Sequence, residues 1–174
     1  MAGRKLAVGD KAPVFLLQTG AGQTIRLADL RGKQVVLYFY PKDDTPGCTR
    51  EACGFRDAMS QFTQAGTVVL GVSRDEVRSQ QRFADKFRLP FPLLSDPDAS
   101  VCKAYGVYKQ KSLYGRTYWG IERTTFVIDA EGRIMAIFPQ VKVDGHIEAV
   151  LQAIRPPSRE AASPRRGSPV STRR

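Results

Sequence analysis

The chain has 174 residues, 42% of them hydrophobic and 25% charged, with a formal net charge of +10. That length carries one domain with its own core, the composition is that of ordinary soluble proteins, and no apolar run approaches the roughly 18–20 residues of a membrane span. Met1 to Gly9 lacks the apolar centre of a secretory signal. Three cysteines at uneven spacing argue against a disulfide framework and for a reducing, cytoplasmic setting.

In chain order, Val14 to Leu17 predicts a short strand, Gly20-Ala21-Gly22 a turn and Thr24 to Leu27 the return strand. Leu30 to Lys33 is a second turn. Val35 to Tyr40 reads as a buried strand, followed by a helix from about Pro46 to Gln64 with Phe55, Met59 and Phe62 on one face. Thr67 to Ser73 is a continuous apolar strand of the kind found inside a covered sheet. A helix over about 76–88 carries Val77, Phe83 and Phe87. Asp96-Pro97-Asp98 starts another helix holding Val101, Cys102 and Tyr105, with Gly106 as its stop. Arg123 to Asp129 and Ile134 to Phe138 form a hairpin, and a last helix spans about Gly145 to Ile154. The alternation of strands and helices predicts an α/β sandwich with a mixed sheet, one domain over 1–155. Residues 155–174 hold six Arg against one Glu, so half of the net charge sits there. From Pro156 onward the sequence has too little apolar content to offset ordering entropy and predicts a disordered basic tail, 156–174.

The chemistry concentrates in Pro41-Lys42-Asp43-Asp44-Thr45-Pro46-Gly47-Cys48-Thr49-Arg50-Glu51-Ala52-Cys53. A strand ends, a helix begins, and Cys48 falls in the first turn. Unpaired N–H groups and the positive end of the helix dipole favour a thiolate there. Pro46 suits that turn. Thr45 can cap it while presenting a hydroxyl beside the sulfur, and Gly47 and Cys48 offer backbone N–H groups to an oxygen near the thiol. A second thiol, Cys53, follows five residues later. This is a redox arrangement.

Pro41-x-x-x-Thr45-x-x-Cys48 resembles the active-site signature of the peroxiredoxins. The fuller run through Cys53, together with Tyr114-Gly115-Arg116-Thr117-Tyr118-Trp119-Gly120-Ile121-Glu122-Arg123-Thr124-Thr125-Phe126-Val127-Ile128-Asp129, resembles the Q-type branch, the bacterioferritin comigratory proteins. The likeness covers roughly residues 5–154. It implies a thioredoxin-like fold and a thiol peroxidase acting on hydrogen peroxide and organic hydroperoxides, with no metal, haem or flavin. It implies that Cys48 is the peroxidatic cysteine, that Thr45 bonds the peroxide, and that Arg123 stabilises thiolate and leaving oxygen, with Glu51 orienting Arg123. Pro41, Thr45, Gly47 and Arg123 are the implied substrate-binding residues. Thioredoxin or a similar dithiol is the implied reductant, and the branch is often monomeric. Read without the resemblance, Arg123 is an arginine opening a strand, with a solvent-facing role the alternative.

Cys53 is the candidate resolving cysteine; the other reading is a packed core thiol. Five residues of α-helix give about 7.5 Å of rise and roughly 140° of rotation. That places the two Cα atoms beyond the ~7 Å reach of an unstrained disulfide, so closing Cys48–Cys53 requires the helix start to unwind. Cys102 reads as a spare buried thiol, with a resolving role the alternative. His146, the only histidine, reads as a solvated surface residue; a Cys–His hydrolase would have to use it. The cysteine spacing fits structural zinc sites poorly. The basic tail leaves a second function open, a nucleic-acid-associated thiol sensor; the peroxidase reading ranks first, and a tail without function ranks above the nucleic-acid role.

Overall fold

The computed structural model describes residues 5–155. Strands β1 (Leu16–Thr19) and β2 (Thr24–Arg26) form the first hairpin, and a short 3-10 turn covers Leu27–Leu30. Strand β3 is Gln34–Phe39, helix α1 Pro46–Asp57 and helix α2 Met59–Gln64. Strand β4 (Thr67–Ser73), helix α3 (Val77–Phe87), strand β5 (Leu93–Ser95) and helix α4 (Ser100–Ala104) follow. Strands β6 (Tyr108–Leu113), β7 (Arg116–Ile121), β8 (Thr124–Ile128) and β9 (Ile134–Phe138) precede helix α5 (His146–Ala153). The disordered-tail expectation for 156–174 lies outside the described residues.

The main sheet has seven strands in the order β2-β1-β5-β4-β3-β8-β9. The apolar strands β3 and β4 pair in parallel at its centre, β5 is parallel to β4, and β8 and β9 are antiparallel. Alternation sends Val35, Leu37 and Phe39 to one face, with Phe126, Ile128, Cys102 and Tyr105. Val36, Tyr38 and Tyr40 go to the other, against Ala52 and Phe55 of α1, Phe62 of α2, Phe83 of α3 and Val150 of α5. The Tyr38 and Phe55 rings stack at 4.7 Å, clamping α1 to β3. A mixed sheet covered on both faces is the thioredoxin-like arrangement expected.

Several details differ from the expectation: the first strand runs Leu16–Thr19 in place of 14–17, and α4 starts at Ser100, past Asp96-Pro97-Asp98. The helix over 46–64 is two helices, because Ala58 (φ −96°, ψ 5°) re-aims the chain; Phe62 then meets Phe55 at 5.8 Å. The strand β5 and the hairpin β6–β7 were not anticipated. In the hairpin, Lys and Gln replace the usual apolar alternation, and the turn rests on Tyr114 and Gly115, both at positive φ. Finally, Tyr105 caps α4 instead of lying inside it.

Candidate active site

After β3 the chain leaves the sheet through Pro41–Asp44 and re-enters as α1. A polar network pins this loop. The Tyr40 hydroxyl donates to Asp43 Oδ1 and the Ser79 hydroxyl to Asp43 Oδ2, each at 2.6 Å, and the Asp43 N–H donates to Asp75 Oδ2 at 2.8 Å. Burial pushes the Asp43 carboxyl up to about 6 in spite of these bonds. Asp44 takes a left-handed φ of 55° and pairs with Lys86 at 2.8 Å. Pro41 is exposed at the loop's start.

Thr45 holds the N-cap position but does not cap. Its Oγ1 donates back to the Lys42 carbonyl at 2.9 Å, so no side chain covers the start of α1. The cap expected of the Thr45 side chain is therefore not made. The loop's tight return brings the Lys42 carbonyl within reach, and the hydroxyl takes that acceptor. The hydroxyl oxygen keeps its lone pairs, and the helix start keeps uncapped N–H groups.

Cys48 is buried in the first turn of α1, 1% exposed. Arg123, one residue before β8, donates Nη2 to Cys48 Sγ at 3.4 Å and Nη1 to Glu51 Oε1 at 2.9 Å. The planar guanidinium therefore binds a thiol and a carboxylate with one fork. Burial works against the charge of Arg123, but Glu51 and Cys48 outweigh it and raise its pKa. A Cβ on Gly47 would stand 3.0 Å from Arg123 Nη2, so the missing side chain leaves room for the fork. The helix spacing of Cys48 and Glu51 presents both to Arg123. Glu51 is fully buried, its Oε2 has no hydrogen-bond partner, and burial pushes its carboxyl up to about 7 against the pull of Arg123.

His146 overturns the surface expectation. It is 5% exposed, with Nε2 2.8 Å from Thr125 Oγ1 and 4.0 Å from Glu51 Oε2. Burial first, then the Arg123 charge, lowers it to about 4. The polar sequence around His146 hid this, because the packing comes from α1, β8 and β9. Lys111 was also missed. Its Nζ donates to the Ile121 carbonyl, and burial, then Arg123, lowers its pKa, while Cys48 acts in the opposite sense. The hairpin thus brings a second cation near the thiol.

The other thiols stand apart. Cys53 is partly exposed on α1, which runs unbroken through both cysteines. Cys102 is fully buried on the opposite face of the sheet from Cys48. Burial and the Asp96 carboxylate raise its pKa strongly. The sheet separates it from Cys48, which fits the spare-thiol reading.

A thioredoxin-like sheet delivering a buried cysteine and an arginine–glutamate pair to a helix start defines a thiol-based redox protein. Residues 8–137 match the AhpC/TSA family. The chain is 59% identical to a putative peroxiredoxin bcp of Coxiella burnetii, over 84% of this chain and 97% of that protein. It is 46% identical to peroxiredoxin Bcp of Escherichia coli, over 86% and 96%. Among solved structures, peroxiredoxin Q of Xanthomonas campestris superposes with a TM-score of 0.78 at 44% identity, over 80% of this chain and 89% of that one. A cysteine-to-serine variant of Xylella fastidiosa PrxQ gives 0.81 at 42% identity, over 86% and 96%. The chain belongs to the AhpC/TSA family and, within it, to the Q-type peroxiredoxins. It is a thiol-dependent peroxidase that uses a peroxide substrate and a thiol reductant. No helix among the described residues is long and apolar enough to cross a membrane.

Proposed function

We propose that Cys48 is the peroxidatic cysteine and Cys53 the resolving one, with hydrogen peroxide and organic hydroperoxides as substrates. The observation that carries this is the Arg123 fork, which joins Cys48 Sγ to Glu51. The Cys48 thiolate attacks the terminal peroxide oxygen. An S–O bond forms, the O–O bond breaks, sulfur is oxidised to the sulfenic acid, and the alkoxide or hydroxide leaves and takes a proton from solvent. Arg123 stabilises the thiolate and the charge developing on the leaving oxygen, while Glu51 orients it. Thr45 bonds the peroxide, and Pro41 and Gly47 complete its seat. Cys53 then attacks the sulfenic sulfur, a disulfide forms and water leaves. A dithiol donor of the thioredoxin type restores both thiols.

The Xanthomonas campestris bacterioferritin comigratory protein is described by its alkyl peroxide reduction activity, and this similarity supports the organic substrates. Work in the cytoplasm fits three unpaired cysteines, and work as a monomer follows the resemblance to the branch. The test is Cys53→Ser assayed with a thioredoxin system. The variant should consume one equivalent of peroxide, hold a sulfenic acid on Cys48 and then stall. A Cys48–Cys102 crosslink in the oxidised native protein, found by peptide mass mapping, would overturn the resolving role of Cys53.

A further inference from the structure

Glu51 presents an unusual problem. It is a fully buried carboxyl with one oxygen committed to Arg123 and the other unpartnered. A buried carboxylate oxygen without a donor is costly, and its neighbours decide whether the group stays ionised. Four titratable groups surround it. Arg123 binds Oε1, Cys48 lies on the far side of Arg123, Tyr38 of β3 brings a buried hydroxyl that also lacks a partner, and His146 of α5 faces Oε2 at 4.0 Å.

Of these, the imidazole is the group built to face Oε2. Its ring is fixed by the edge-to-face rings of Phe55 at 6.1 Å and Phe138 at 5.5 Å, and by Thr125 at Nε2. Thr125 of β8 lies two residues after Arg123, which enters that strand, so one extended segment carries both Arg123 and the residue that holds His146. The approach of α5 to α1 depends on Gly54, where a Cβ would stand 2.7 Å from Ile147 Cγ1. Ile147 adjoins His146. At 4.0 Å the Nε2–Oε2 pair is longer than a hydrogen bond, and the two groups interact across that gap as dipole and charge.

We propose that His146 is a positioning residue for peroxide reduction: its Nε2 edge, anchored by Thr125, is the polar partner that keeps Glu51 ionised and drawn onto Arg123, and so holds the Arg123 fork against Cys48. This rests on the Arg123–Cys48 reading above. The imidazole is neutral near pH 7 and carries one N–H. With that proton on Nε2, the single N–H is shared between Thr125 Oγ1 at 2.8 Å and the ionised carboxylate at 4.0 Å. With the proton on Nδ1, Nε2 accepts from Thr125 or from a protonated Glu51. One ring serves both states of the carboxyl, and no net proton is consumed.

The test compares His146→Phe, His146→Gln and Gly54→Ala with the native protein. Two quantities are read: the Glu51 carboxyl titration by 13C NMR, assigned by its loss in Glu51→Gln, and the pH profile of single-turnover oxidation by hydrogen peroxide. Removing the donor should raise the Glu51 titration by about one unit. The acid limb of the oxidation should move with it, roughly fivefold slower near pH 7 and recovering in alkali. His146→Gln keeps an N–H donor and should restore much of the native profile. Gly54→Ala reaches the same end by pushing Ile147 and α5 away, so the question stays answerable if His146→Phe does not fold. An unmoved Glu51 titration in a folded His146→Phe or Gly54→Ala protein overturns the proposal. If Tyr38→Phe alone moves the titration, the tyrosine is the partner and the proposal also fails. Failure of the underlying reading looks different, since Cys48→Ser would then still turn over peroxide.

Discussion

Oxidising the protein to the Cys48–Cys53 disulfide is expected to melt the start of α1. In the reduced structure α1 runs from Pro46 to Asp57 without a break. Five residues of helix rise about 7.5 Å and turn roughly 140° on a radius of about 2.3 Å, which sets the two Cα atoms about 9 Å apart. The limit for an unstrained disulfide is near 7 Å. Unwinding through Cys53 forfeits roughly five backbone hydrogen bonds at about 1 kcal/mol each. It also draws Ala52 and Glu51, both fully buried, out of the core. A local cost of about 5 kcal/mol corresponds to three to four decades of hydrogen-exchange protection. Hydrogen exchange read by mass spectrometry on reduced and oxidised protein should therefore show a large loss of protection over about Pro46 to Phe55, while β3 keeps its own. Equal protection of this segment in both states, with the disulfide demonstrably closed, would refute the geometric reasoning.

Other expectations bear on the same site. Arg123→Lys loses the second arm of the fork, so the rate of oxidation by peroxide should fall by about two to three decades; an unchanged stopped-flow rate would show that the wrong arginine has been assigned. Gly47→Ala places a Cβ 3.0 Å from Arg123 Nη2. Oxidation should slow about tenfold while the melting temperature holds or rises, because Ala favours a helix over Gly by about 1 kcal/mol. Burial pushes the Glu51 carboxyl up from its ordinary 4.5 to about 7 in the folded protein. The folded state therefore holds a proton that the unfolded state releases. That contribution, about 3 kcal/mol, is full below roughly pH 4.5 and lost as pH rises through 7. His146, lowered to about 4, acts in the opposite sense between 4 and 6.5. Urea titrations near pH 6.5 and pH 8 should show Glu51→Gln lacking the native decline.

What the sequence carries, it carries locally. Thr67 to Ser73 matches β4 residue for residue, because a run buried on both faces needs no tertiary information to be read. Cys48 was legible from the same kind of signal, a strand ending and a proline opening a helix. The hairpin β6–β7 was hidden because its strands are largely exposed and polar, so no alternation marks them. Thr45 was misread as a cap because the competing Lys42 carbonyl exists only once the loop has turned back. His146 was misread for a related reason. Its neighbours in sequence are polar, while the residues that bury it, Phe55, Thr125 and Phe138, come from three other elements. Arg123 needed the family resemblance, since an arginine ahead of a strand has no local mark that says it turns inward.

The central claim is that the thiol under Arg123 is the one peroxide oxidises. It is tested most directly by the initial rate of hydroperoxide consumption in Cys48→Ser, supplied with a thioredoxin system in excess and compared with native protein and with buffer. The account predicts a rate equal to the buffer background, with Cys53 and Cys102 both present and unable to substitute. Turnover clearly above that background would contradict it and move the chemistry to another thiol.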